Sequence, residues 1–162
     1  VEESVSNPES SDLKAKAIQL LSRREHSAQE LAEKISTTEN RPLADAVVAE
    51  LVEADYVSDS RYADMLVRNR IRQGHGKKRI RQALRQKGIT DVLVAEAFEQ
   101  HDTDWFECAV MARNKRFGLE RVDDIKLRNK QIRFLQYRGF DFEQINHALR
   151  IFSMDDAGSG VE

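Results

Sequence analysis

The residue types that do covalent or acid–base chemistry are scattered along this chain. Its four histidines, His26, His75, His101 and His147, lie far apart, and no HExxH or CxxC spacing offers ligands to a metal. The single cysteine, Cys108, falls among Trp105, Ala109 and Val110 on a helical stripe. A thiol there is packing material, since a nucleophile needs a basic partner to form its thiolate. Glu30 with Glu33, and Glu96 with Glu99, share helix faces at i,i+3 spacing and could act as acid and base, but solvated helix surface accounts for them. Gly74-His75-Gly76-Lys77-Lys78 looks superficially like a phosphate loop, yet a Walker motif needs Gly in place of Ile71 and Ser or Thr in place of Lys78. It reads as an interhelix turn. No catalytic residue, metal site or cofactor is expected, and the chain is not expected to be an enzyme.

What the sequence does concentrate is charge. The formal net charge of −2 divides into −7 over Val1 to Ser60, +9 over Arg61 to Lys87 and −4 over Gly88 to Glu162. Such a block between acidic flanks is an electrostatic footprint for nucleic acid or an acidic protein surface, unless it is merely a solvated face. At about 100° per residue, Ile80, Ala83, Leu84 and Lys87 share one side of a helix, while Lys77, Lys78, Arg81 and Arg85 occupy a neighbouring arc. Arg61, Arg68 and Arg72 form a second stripe on the preceding helix, with Asp64 placed to pair with Arg68. Arg70 and Arg79 complete the candidate contact set. Phosphate neutralisation would make binding salt-sensitive, whereas bidentate contacts to carboxylates would suit a protein groove. Tyr62 is the only aromatic residue in the block and lies on the expected core stripe, so no platform for stacking bases is evident.

These residues need helices to position them. Of 162 residues, 40% are hydrophobic and 33% charged, and the two prolines, Pro8 and Pro42, leave the rest of the chain compatible with helix. One cysteine excludes an internal disulfide, and the absence of any membrane-length apolar run points to a cytoplasmic protein. Roughly nine short amphipathic helices follow from the cap, apolar stripe and stop signals. Ser27 and Glu30 form an S-x-x-E capping box, Pro42 suits a first turn, and Ser58 or Asp59 can cap the next helix. Asp102 or Thr103, and later Asp141, are further cap candidates, and Gly88, Gly118 and Gly139 are stops.

The pattern repeats. An offset of 49 matches His26, Leu31 and Ile35 with His75, Ile80 and Leu84, and an offset of 51 brings Leu84, Lys87, Gly88, Ile89 and Ala97 onto Leu135, Arg138, Gly139, Phe140 and Ala148. The chain is therefore expected to be all-α, with three tandem three-helix modules in an elongated, curved molecule: 12–57, a basic module 58–101, and 102–154. Disordered tails are expected at 1–11 and 155–162.

Three stretches resemble the RecX family of regulators of the bacterial recombinase RecA. They are Ala17 to Ile35 (AIQLLSRREHSAQELAEKI), Asp55 to Ile89 (DYVSDSRYADMLVRNRIRQGHGKKRIRQALRQKGI) and Ile132 to Phe140 (IRFLQYRGF). With their connecting helices they span roughly Asp12 to Phe152. Three positions depart from the family pattern: Asp55 commonly Gly, Lys77 often Pro, Ala83 frequently Glu. The resemblance implies a non-catalytic inhibitor of RecA recombinase, ATPase and coprotease functions. Its expected partner is the RecA nucleoprotein filament, bound in the helical groove so that filament growth is blocked or disassembly promoted. Charge and geometry add the expectation that Arg61, Arg68, Arg70, Arg72, Lys77, Lys78, Arg79, Arg81, Arg85 and Lys87 contact filament or DNA. Arg113, Lys115, Arg116, Lys126, Arg128 and Arg133 are expected to form a second, weaker region. A monomer is expected, with no membrane partner. Direct binding of single- or double-stranded DNA by a helix-turn-helix-like module is the alternative.

Overall fold

This computed structural model describes residues 7–120 and 122–150. Among them are nine α-helices and no strand: α1 (Pro8–Leu21), α2 (Ala28–Ile35), α3 (Arg41–Glu53), α4 (Asp59–Arg72), α5 (Lys77–Gln86), α6 (Asp91–Gln100), α7 (Trp105–Phe117), α8 (Ile125–Arg138) and α9 (Phe142–Arg150). Side chains that accept otherwise orphaned amide protons fix the starts. The Asn7 carboxamide accepts from Glu9 N–H with Pro8 in the first turn, so α1 begins inside the segment expected to be a tail. Ser58 caps α4, and Asp104 caps α7 by accepting from Phe106 and Glu107. Asp102 and Thr103 do not take that role; the Thr103 hydroxyl turns back to the His101 carbonyl. Asp141 and Gln144 form a reciprocal capping box on α9.

The chain forms two compact units, one of Val1–Leu66 with Leu84–Gln100, the other of Val67–Ala83 with His101–Glu162, so α4 and α5 each contribute to both. The first unit holds an apolar cluster that includes Leu13, Leu31, Ile35, Val47, Val48 and Leu51; the second holds one that includes Ala109, Leu135, Phe140, Ile145 and Leu149. Helix α4 buries Tyr62, on the expected core stripe, together with Ala63 and Val67, while Asn69, Ile125 and Phe142 are exposed. Phe152, where the stretch resembling the RecX family ends, lies outside the described residues.

One device recurs at the middle helices of the triplets. In the first unit the start of α2 meets later helices: Ala28 N–H donates to Asp59 Oδ1 at 2.8 Å, and Gln29 Nε2 donates to Gln86 O at 3.3 Å. In the second unit the start of α5 meets the end of α8, with Gly76 N–H donating to Arg138 O at 2.7 Å and Lys78 N–H to Gly139 O at 3.2 Å. In the second unit, backbone amides at a helix start and backbone carbonyls at a helix end thus satisfy one another, whereas in the first the α2 amide meets a carboxylate. In the second unit the approach demands glycine: a Cβ on Gly76 would collide with the backbone of Gly139, and one on Gly139 with Arg79, whereas at Gly88 the flexible end of the Gln29 side chain is the group that would have to move. The glycines that the repeat aligned at 88 and 139 thus stop helices in the left-handed conformation and admit a neighbour.

Candidate functional site

The candidate cations fall into different circumstances in the two units. In the first, Arg61 Nε lies 2.9 Å from Glu25 Oε1 and its Nη1 2.9 Å from Asp55 Oδ1, while Arg85 Nε lies 3.0 Å from Asp91 Oδ1. Lys87 Nζ is 3.6 Å from Glu30 Oε1, which also receives Arg24 at 2.7 Å and Lys34 at 3.3 Å. These cations fasten helices together. Glu30, expected on solvated surface, is only 4% exposed. Burial pushes its carboxyl upward, but the Arg24 hydrogen bond and charge, joined by Lys34, outweigh that and hold it down at about 2. Ser27 accepts from Glu30 N–H, so half of the expected capping box is present; the Glu30 side chain serves the cations instead.

In the second unit, Arg68, Arg72 and Lys78 are exposed, whereas Arg70, Lys77, Arg79 and Arg81 are half-buried. Arg70 Nη1 donates to Gln73 Oε1 at 3.2 Å. The Arg79 guanidinium stands 4.6 Å from the centroid of Tyr137, a ring that is 74% exposed. Tyr137 belongs to α8, so sequence proximity to the basic block gave no sign that an aromatic residue lies beside it. The start of α5, with the phosphate-loop look of Gly74 to Lys78, has its Gly76 and Lys78 amides engaged by Arg138 and Gly139. His75 is buried, and that burial, with Arg79, Arg70 and Arg138 nearby, lowers its pKa to about 4. It stands neutral at physiological pH.

Among the secondary residues, Lys115, Arg116, Lys126 and Arg133 are exposed and Arg128 is half-buried. Arg113 is 0% exposed, which removes it from any contact surface. Its guanidinium donates to Gln131 Oε1 at 2.9 Å, Asn114 Oδ1 at 3.1 Å, Gly118 O at 3.2 Å and Glu120 O at 2.9 Å, and burial lowers its pKa. It satisfies the carbonyls where α7 gives way to the connection into α8. Arg72, Lys115 and Arg116 come together around a cleft of about 600 Å³, joined by Arg138. Arg138 was not a candidate, although the 51-residue offset had aligned it with Lys87. Cys108 also lines this cleft, half-buried, and burial, then Asp104 and Glu107, raise its thiol pKa.

Residues 58–97 match the second three-helix domain of RecX, and residues 102–149 match the third. The regulatory protein RecX of Vibrio parahaemolyticus is 42% identical over 137 residues, covering 84% of this chain and 88% of that protein. The chain belongs to the RecX family. The regulatory protein RecX of Acinetobacter baylyi is 41% identical over 140 residues, covering 85% of this chain and 86% of that protein. Among solved structures, RecX from Lactobacillus salivarius superposes with a TM-score of 0.69 at 22% identity, covering 89% of this chain and 96% of that one. That similarity carries the RecX fold of tandem three-helix domains. Among the described residues no cluster of three or more His, Cys, Asp or Glu could hold a metal ion, and no helix is long and apolar enough to cross a membrane.

Proposed function

We propose that this chain is a negative regulator of RecA that binds in the groove of the RecA–DNA filament. There it would inhibit recombinase, ATPase and coprotease activities by blocking filament growth or promoting disassembly. The observation that carries this reading is the match to regulatory RecX proteins over most of both chains. The chain acts by binding, as a cytoplasmic monomer. Arg61, Arg85 and Lys87 are engaged by the chain's own carboxylates. The partner is therefore met chiefly by Arg72, Lys78, Lys115 and Arg116, which are exposed, with Lys126 and Arg133 more weakly involved.

Major-groove reading by a helix-turn-helix module uses the first turn of its second helix. That turn of α2 donates to Asp59, and that of α5 to Arg138 and Gly139, which disfavours direct sequence reading as the primary activity. The test is co-sedimentation with RecA filaments on single-stranded DNA across a salt titration. Retention is expected at low salt, falling steeply between about 50 and about 200 mM as counterion release loses its advantage. Tight, sequence-selective duplex binding at physiological salt, with no retention by filaments, would overturn the proposal.

A further inference from the structure

The cleft of the second unit has the composition of a peptide-binding site. Its floor is built by Ile71, Met111, Ala112 and Phe134, with the thiol of Cys108. Met111 is 63% exposed there, an adaptable apolar side chain left to water. Arg72, Lys115, Arg116 and Arg138 form the rim, and among the described residues no carboxylate lines the cleft. Among the described residues no carboxylate pairs with any of these four, in contrast to the ion-paired Arg61, Arg85 and Lys87. Arg138 is already set in place, donating through Nη1 to Gln73 O at 2.8 Å with its guanidinium 5.0 Å from the Phe134 centroid. A cleft of about 600 Å³ accepts one large side chain with its flanking backbone.

From this geometry we infer that the cleft docks an acidic peptide segment of a partner protein, with one bulky apolar side chain on the floor and flanking carboxylates on the rim. The apolar anchor displaces water from Met111 and Ile71, and paired carboxylate oxygens match the guanidinium forks of Arg72, Arg116 and Arg138. Nucleic acid fits less well. Among the described residues Phe134 is the only aromatic ring lining the cleft, and it is engaged by Arg138 on a face and by Phe117 edge-on at 5.3 Å, so it offers no open platform for a base. The inference does not depend on RecA being the partner, and its test contains no RecA.

Cys108 is the only cysteine of the chain and lines the cleft, so its alkylation by iodoacetamide reports occupancy. The probes are fluorescein-labelled hexapeptides with Leu-Phe flanked on each side by two acidic residues, the same peptide with Ser-Ser at the centre, the same with lysine flanks, and hexathymidylate. The acidic Leu-Phe peptide is expected to give saturable anisotropy and to slow alkylation several-fold, with the other three at least tenfold weaker. Lys115→Glu with Arg116→Glu, two exposed positions, is expected to weaken that peptide at least tenfold at unchanged helicity, and Met111→Glu likewise. Met111→Leu should keep binding within about twofold. The inference is overturned by no protection at millimolar peptide, by equal protection from the Ser-Ser peptide, or by hexathymidylate protecting better than the acidic peptide.

Discussion

Glu30 sits almost wholly out of water with Arg24, Lys34 and Lys87 around one of its carboxylate oxygens. A buried carboxylate persists as an anion only where charge and hydrogen bonds compensate its lost hydration, and here they hold its pKa at about 2. Glu30→Gln is expected to cost about 1.5–3 kcal/mol in urea unfolding at neutral pH, the range for hydrogen bonds to a charged group. Its pH dependence has a definite sign. A depressed carboxyl contributes stability above its unfolded value of 4.5 and loses it as pH falls toward about 2, so the deficit of Glu30→Gln should shrink through that window. A deficit that stays constant with pH would show that the carboxylate charge contributes nothing. Arg113 plays the same part in the second unit, reaching Gln131, itself buried, and two main-chain carbonyls. Arg113→Met keeps the volume but strands those acceptors, and should cost about 3 kcal/mol or more, whereas Arg116→Met on the exposed face should stay within about 0.5 kcal/mol. Thermal unfolding of the two variants side by side separates a buried structural arginine from a surface one.

Helix ends carry much of the information that joins one element to the next. Asp55 closes α3 in a left-handed conformation, φ 62°, with Tyr56 N–H bonded to Leu51 O, at a position where the family pattern commonly has glycine. Aspartate tolerates this conformation better than most residues and also pairs with Arg61. Asp55→Gly is therefore expected within about 0.5 kcal/mol of the parent in urea unfolding, relief of backbone strain offsetting an exposed ion pair, while Asp55→Val should cost about 1–2 kcal/mol. Gly76→Ala should cost at least about 3 kcal/mol, because its Cβ would meet the Gly139 backbone and force apart two hydrogen bonds. Gly118→Ala has nothing within 4 Å to clash with, and its cost should be only the backbone strain of a conformation nearly restricted to glycine, about 1–3 kcal/mol. The same positions show what a sequence can disclose. The helices, their caps at Ser27 and Asp141 and the matched stops at Gly88 and Gly139 were legible because each depends on neighbours within a turn. Ser27 with Glu30 promised a local box, but the carboxylate went to Arg24, Lys34 and Lys87, and the last is 57 residues away, beyond any periodicity argument. The basic block was legible as charge. Which of its members are paired internally, and the joining of Arg72 with Lys115, Arg116 and Arg138 at one cleft, depended on contacts between residues far apart in the chain.

At the scale of the whole molecule, the sequence periods suggest three tandem modules that lean on their neighbours, and α4 and α5 each belong to both compact units. Helix α5 has ten residues, below the length at which an isolated helix holds its shape in water, and Ile80 and Leu84, on either side of the division, are both fully buried. Opening the second unit removes the partners of the Gly76 and Lys78 amides at the helix start. The remaining turn, with Gly88 against Gln29 and Lys87 against Glu30, would then have to stand on too few residues to propagate a helix. The two units should therefore unfold together. Urea transitions followed by fluorescence of Trp105, the only tryptophan and a reporter of the second unit, should coincide with those followed by far-ultraviolet ellipticity. The stricter measurement is hydrogen exchange at Leu31, buried in the first unit, in the Arg113→Met variant altered in the second. A loss of about 3 kcal/mol corresponds to roughly a hundredfold fall in protection, and it should appear at the Leu31 amide as fully as at Leu135. Protection lost at Leu135 but kept at Leu31 would mean that α5 yields in the middle and the units open independently.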